Sequence, residues 1–340
     1  MKFTISKSSP EKFKADIIAI GCYERTHEDD ENKKLPALIK HSDGGTRLDR
    51  ALGGTISKQI YAEKFTGSRS THRIFFTAGK IPSKFVLIIG LGSRDKFDLE
   101  VIREAGGTMS KIAREVSATS VGLVLEQGPL GEETAADRAR AITEGVILGN
   151  YEFNRYKTGE NQKKPALGPI TFLYQGNAKT IRSGIAIGEI YADATCFCRD
   201  LVNTPPIDAT PTHIAKAAQT LANEHGMKCH VMESEEIRKA KLNGLLAVSR
   251  GSSEPPVFIT LKYLPKEKPR AKIALVGKGV TFDSGGISLK PAHGSIEIMK
   301  SDMAGAAAVL ACMKAIAKLM PPVEVTGYIP AVENMPDGGA

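Results

Sequence analysis

No run of about eighteen apolar residues occurs, the minimum for a helix that spans a bilayer, so no transmembrane helix is expected. The first residues, Met1-Lys2-Phe3-Thr4-Ile5, read as a strand followed by polar residues and lack the apolar core of a secretory signal, which points to a cytoplasmic protein. Cysteine is scarce and scattered. Cys22, Cys196, Cys198, Cys229 and Cys312 are an odd set without CxxC spacing, which argues against a disulfide framework and a zinc ribbon. Buried or half-buried free thiols in a reducing compartment are the expectation. The seven histidines are too dispersed for a metal cluster. Lys and Arg number 46 against 38 Asp and Glu, a net charge of +8, yet no basic run or basic stripe interleaved with aromatics stands out. A solvated surface accounts for that charge, and neither a nucleic-acid nor a membrane partner is expected. Internal repeats and low-complexity segments are also missing.

What is present suits a soluble α/β protein. The 340 residues are 41% hydrophobic and 25% charged, enough for two cores. Apolar runs of strand length alternate with helical patterns. Strands are predicted at Asp16–Gly21, Arg73–Ala78, Phe85–Leu91 and Ser120–Leu125, with helices over Leu99–Val116 and Thr134–Leu148. Thr158–Gly168 is polar with Gly and Pro and reads as a linker between an N-terminal domain over residues 1–157 and a second domain over residues 169–340. In the second, strands are predicted at Ile170–Tyr174, Val257–Tyr263, Lys272–Gly277 and Val323–Ile329, and helices over Ile181–Leu201, Thr212–Glu224 and Asp302–Leu319.

The chemistry concentrates in Ile273–Lys290, where a buried strand runs into a glycine-rich loop carrying Lys278, Asp283 and Lys290, with Asp302 twelve residues further on. Open α/β sheets place ligands at strand C-terminal ends. Three readings compete. A phosphate loop fails, because GxxxxGK[ST] ending on Lys278 needs Gly where Lys272 sits and Ser or Thr where Gly279 sits. Gly90-Leu91-Gly92 is an equally weak nucleotide signal, since Asp95 takes the place of the third glycine. A structural reading assigns the glycines to turns and Asp302 to a helix N-cap. It does not explain two lysines and two aspartates around one loop. The third reading is a metal site, in which Asp283 and Asp302 hold divalent ions and Lys278 joins them only as the neutral amine. Lys290 would stay cationic and meet charge developing on a substrate. His293 lies in the intervening loop as a weak further candidate, and Glu28-Asp29-Asp30-Glu31 reads as a solvated loop.

Gly277–Lys290 closely resembles the metal loop of the M17 leucyl aminopeptidases, as does Met299-Lys300-Ser301-Asp302-Met303-Ala304-Gly305-Ala306-Ala307. Arg199–Pro206, Leu245–Ser252 with Pro255-Pro256, and Glu333-Asn334-Met335-Pro336 match that family too. Residues from about 150 onward carry the likeness, and the first 150 fit the family's N-terminal domain in outline. The resemblance implies a macro-like N-terminal α/β domain followed by an α/β aminopeptidase domain with a mixed, mainly parallel sheet. It implies an exopeptidase that releases leucine-like N-terminal residues from peptide substrates, using two Mn²⁺ or Zn²⁺ ions, in a cytosolic homohexamer. Carried over by position, Lys278, Asp283 and Asp302 are metal ligands, with Asp283 bridging and Asp302 also receiving the substrate amine. Lys290 polarises the scissile carbonyl under attack by a metal-bound hydroxide, and Met299 lines the pocket for the first side chain.

Two departures stand out. One extra residue lies within Pro291–Ile298, which a loop absorbs easily. The family also continues past Glu-Asn-Met-Pro into an Asn-Thr-Asp-Ala-Glu-Gly-Arg segment, whose acids complete the metal sites and whose arginine holds a bicarbonate acting as general base. This sequence ends at Ala340 without that segment. A fragment of a longer reading frame, inactive or nearly so by itself, is therefore expected. The alternative is a non-catalytic binding or scaffold protein derived from an aminopeptidase. Lys278, Asp283, Lys290 and Asp302, with all four residue types kept around one loop, speak against it.

Overall fold

A computed structural model of the chain describes residues 1–24, 43–125, 134–158 and 167–338. It divides into two compact units, Met1–Ala192 and Asp193–Ala340. Glu28–Glu31 and residues 159–166 of the expected linker lie outside the described residues.

The first unit is a six-stranded sheet built from β1 (Phe3–Ser6), β2 (Ile17–Cys22), β3 (His72–Phe76), β4 (Phe85–Gly90), β5 (Val121–Val124) and β6 (Ile170–Leu173), in the order β1-β6-β5-β2-β4-β3. Only the edge strand β3 runs antiparallel to its neighbour. Strands covered on both faces need no polar alternation, which is why β2 and β4 are apolar throughout. Successive β2 residues feed opposite cores. Ile17 and Ala19 join the cluster formed with helices α3 (Leu99–Glu115) and α4 (Ala135–Gly149). Ile18 and Ile20 join the one that includes Leu48 of α1 (Asp43–Ala51) and Ile56 of α2 (Thr55–Ala62). Each buried isoleucine or leucine among them contributes about 1.5–3 kcal/mol. Asp98 caps α3 by accepting from the Val101 N–H, and Thr134 with Asp137 forms a capping box on α4.

Strand β6 sits between β1 and β5, so residues 170–173 belong to the first sheet, beyond the linker expected at 158–168. The division between units falls later still, within α5 (Ala178–Asn203). Local periodicity marks a strand but not its sheet. Ile170 pairs with Phe3, a partner 167 residues away that leaves no trace in the neighbouring sequence.

The second unit holds β7 (Lys228–Met232), β8 (Val257–Tyr263), β9 (Lys272–Val276), β10 (Gly279–Asp283) and β11 (Glu324–Asn334). The sheet is mixed, as expected. β8 runs antiparallel to β7 and β11, while β9 and β10 both lie parallel along one edge of β11. Val257, Ile259, Leu261 and Tyr263 alternate into a core shared with α6 (Pro211–His225) and α9 (Ala304–Leu319). Shorter helices, α7 (Ser234–Lys239) and α8 (Asn243–Ser249), follow β7. No described helix is long and apolar enough to cross a membrane. All five cysteines are free. Against the expectation of buried or half-buried thiols, Cys312 is exposed.

Candidate active site

The predicted strand over Lys272–Gly277 continues further than its sequence shows. β9 ends at Val276, Gly277 and Lys278 form a break, and β10 resumes along the same edge of β11. The break is held against the start of α9. The Lys278 carbonyl accepts from the Ala306 N–H at 2.8 Å. This approach requires glycines: a Cβ on Gly277 would lie 2.5 Å from the Gly305 carbonyl oxygen, and one on Gly305 would lie 2.8 Å from the Lys278 nitrogen. The lysine is thereby fixed at its backbone while its side chain stays 61% exposed.

Asp283 ends β10. Its Oδ1 accepts from the Gly285 N–H at 3.0 Å and from Asn334 Nδ2 at 2.7 Å. Its Oδ2 accepts from the Lys290 ammonium, and that ammonium also lies 3.2 Å from Met299 Sδ. Burial alone would raise the Asp283 pKa, but Lys290, the Gly285 N–H and the Asn334 amide together hold it below the usual aspartate value. A carboxylate, an ammonium and a thioether are thus brought together from β10, the following loop and the 3₁₀ turn Ile296–Ser301.

Asp302 does not open α9 as a capping residue. It ends the 3₁₀ turn, and Met303 occupies the N-cap without a side-chain hydrogen bond. Asp302 Oδ2 is buried and has no hydrogen-bond partner, and its nearest opposite charge is Lys278 Nζ at 3.4 Å, within ion-pair range. A buried carboxylate oxygen without a donor carries a desolvation cost of about 1–3 kcal/mol or more, and a cation offsets it. The predicted site residues therefore form two groups, Lys278 with Asp302, and Asp283 with Lys290 and Met299. His293 is exposed. Asn334 was not singled out from sequence as a partner of Asp283, although the Glu333-Asn334-Met335-Pro336 motif contains it.

The orphaned Asp302 oxygen with the Lys278 amine in one group, and the remaining lone pair on Asp283 Oδ2 in the other, are donors of the kind a hard or borderline dication takes. No group of three or more His, Cys, Asp or Glu able to hold a metal occurs among the described residues.

A two-unit α/β protein with lysine–aspartate pairs gathered at a sheet edge is the class these features define. Two family models place it further: the cytosol aminopeptidase N-terminal domain matches residues 19–160, and the catalytic domain of the same family matches residues 196–340. The chain belongs to the cytosol aminopeptidase family. A probable cytosol aminopeptidase of Alkaliphilus metalliredigens is 37% identical, covering 100% of this chain and 66% of the relative. One of Solibacter usitatus is 45% identical over 75% of this chain and 52% of its own length. The chain thus spans less than two thirds of these relatives. Among solved structures, a tomato leucine aminopeptidase mutant aligns with a TM-score of 0.85 at 28% identity, over 100% of this chain and 64% of that one. The bottromycin maturation enzyme BotP in complex with Mn aligns with a TM-score of 0.76 at 33% identity, over 96% and 61%.

Proposed function

We propose that this chain carries part of the site for the exopeptidase chemistry of the cytosol aminopeptidases, the release of an N-terminal residue from a peptide in the cytosol. A preference for leucine-like residues, two ions and a homohexameric state are finer parts of the same proposal. Lys278, Asp283 and Asp302 would hold the divalent ions, with Mn²⁺ the first choice because Mn is named with the BotP neighbour. A bound ion would supply a water of lowered pKa and polarise a carbonyl. Lys290, oriented between Asp283 and Met299, presents an ammonium to charge that develops on the scissile carbonyl oxygen. Met299 offers an adaptable apolar wall to the first side chain. Asp302, with an unsatisfied oxygen, also suits the ammonium of a peptide N-terminus.

The observation that carries this reading is the orphaned Asp302 oxygen facing Lys278. Calorimetric titration of Mn²⁺ into EDTA-stripped protein tests it. Asp302→Asn and Lys278→Met are each expected to weaken binding at least tenfold, and Asp302→Asn binding within twofold of wild type would sink the reading. Thermal protection by Mn²⁺ with leucine hydroxamate, and none by nucleotides, is expected on the same grounds. Protection by nucleotides alone would favour a nucleotide site instead.

A further inference from the structure

We propose that Asn334 is the positioning residue for Asp283, its amide deciding which carboxylate oxygen is left to face a cation. The proposal rests on the function proposed above. Strand β11 ends at Asn334, and its pairing with β10 is irregular. Gly279 and Val280 pair with Ala331 and Val332, then the register shifts before Asp283 meets Asn334. Bulges of this kind re-aim side chains. Here the shift coincides with Asp283 and Asn334 side chains in contact.

The Asn334 backbone is held independently of its side chain. Its carbonyl accepts from the Ser284 N–H at 3.0 Å and from Ser284 Oγ at 2.8 Å. The side chain is thus anchored at its base and reaches Asp283 Oδ1 at 2.7 Å. Only the NH₂ of an asparagine amide donates, so this contact fixes the amide's orientation. The flipped amide would set oxygen against carboxylate oxygen. On the other side, Asn334 Oδ1 faces Gly286, where an added Cβ would come within 3.2 Å of it and where φ is +71°.

The consequence for Asp283 follows by counting lone pairs. Oδ1 accepts from two neutral N–H groups, Gly285 and Asn334, and is filled. Oδ2 accepts from Lys290 alone and keeps one lone pair. With Asn334 in place, an incoming cation meets Oδ2. Without it, Oδ1 keeps one donor, Gly285, and regains a lone pair, so either oxygen can meet the cation. Outer partners of metal-binding carboxylates change affinity by about 10–100-fold.

The test compares Asn334→Leu, branched at Cγ like asparagine but without the donor, with wild type and Asp283→Asn. Two readings are taken on the full chain: Mn²⁺ affinity by calorimetry, and the ¹³C carboxyl resonance of Asp283 in EDTA, assigned from its loss in Asp283→Asn. Asn334→Leu is expected to move the Asp283 resonance and to weaken Mn²⁺ binding about 10–100-fold, with the metal-free protein still folded. An unmoved resonance overturns the proposal, as does unchanged Mn²⁺ affinity while Asp283→Asn abolishes binding. Should Asp283→Asn leave Mn²⁺ binding intact, it is the proposed function that fails, and the resonance alone decides on Asn334. If Asn334→Leu does not fold, Asn334→Ala, which removes the donor without adding a charge or a ligand, is read in the same way.

Discussion

Gly305 and Gly244 offer a matched pair for testing how the Lys278 break is held. Both occupy the second position of a helix, Gly305 in α9 and Gly244 in α8. Alanine at either site gains the same helix propensity, at most about 1 kcal/mol. Their surroundings differ. Nothing lies within 4 Å of a Cβ built on Gly244, whereas one built on Gly305 meets the Lys278 nitrogen at 2.8 Å and its oxygen at 3.2 Å. Those are backbone atoms, so the helix start and the β9–β10 break must separate by several tenths of an ångström. Overpacking of that kind costs about 1–3 kcal/mol. The bond from Ala306 N–H to the Lys278 carbonyl, 2.8 Å long, is strained as well and adds up to about 1 kcal/mol. Net destabilisation of about 1–3 kcal/mol is expected for Gly305→Ala, and a change between zero and a slight gain for Gly244→Ala. At about 2–4 °C per kcal/mol for a unit of this size, the melting temperature falls by roughly 2–12 °C. Circular dichroism melts read the shift, because the sequence has no tryptophan to report by fluorescence. Hydrogen exchange on peptides covering β9, β10 and the start of α9 locates it. Gly305→Ala at least as stable as Gly244→Ala, with unchanged exchange at Lys278, would refute the close-approach argument.

Asp16 supplies a pH prediction. Lys84, 2.7 Å away, and the Thr119 N–H and hydroxyl, each at 2.8 Å, outweigh burial and hold its pKa well below the ordinary aspartate range. A depressed pKa adds stability that is present above the unfolded value of about 3.9 and is lost as pH falls through the folded value. Wild type should exceed Asp16→Asn by about 1–3 kcal/mol at pH 7, mostly through Thr119, since Lys84 is 69% exposed and screened. The gap should close progressively below pH 4 in urea titrations, and a gap independent of pH would count against the assignment. Met320 ends α9 at φ 51° and ψ 50° and is 63% exposed. Met320→Gly relieves the left-handed conformation at small loss of packing, and urea titration should show a gain of about 0.5–1 kcal/mol. A loss of stability there would mean that the Met320 side chain is held by contacts stronger than its exposure implies.

Elements whose burial is uniform or strictly periodic were legible in the sequence. Phe85–Ile89, apolar at every position, is the interior strand it reads as, and Val257–Tyr263 alternates in the predicted manner and place. Helix α4 begins at Ala135, one residue past the predicted start at Thr134. β10 was hidden because Gly279-Val280-Thr281-Phe282-Asp283 looks like a loop, and only the parallel edge of β11 makes it a strand. Asp302 carries the composition of an N-cap, yet the chain reaches it through a 3₁₀ turn and places its oxygen elsewhere. Lys278, Asp283, Lys290 and Met299 were visible from their types and family spacing. The Asn334 contact was not, because it depends on a register shift between two strands 51 positions apart.

Strand β11 acts as a ruler. Glu324–Tyr328 fixes the register of β9, and Ala331 onward fixes that of β10. Position along such a ruler is counted in whole residues, about 3.3 Å each, and a one-residue slip turns every side chain to the opposite face. The length of Lys272–Val280 is therefore quantised: one inserted or deleted residue there would turn Lys278 away or displace it from its place beside α9. The turn at 291–295 is paired to no strand and has no such gauge. Change in chain length around this site is expected to cost less in the loop between Lys290 and the 3₁₀ turn than along the edge of β11, where the shift before Asp283 already takes up one residue.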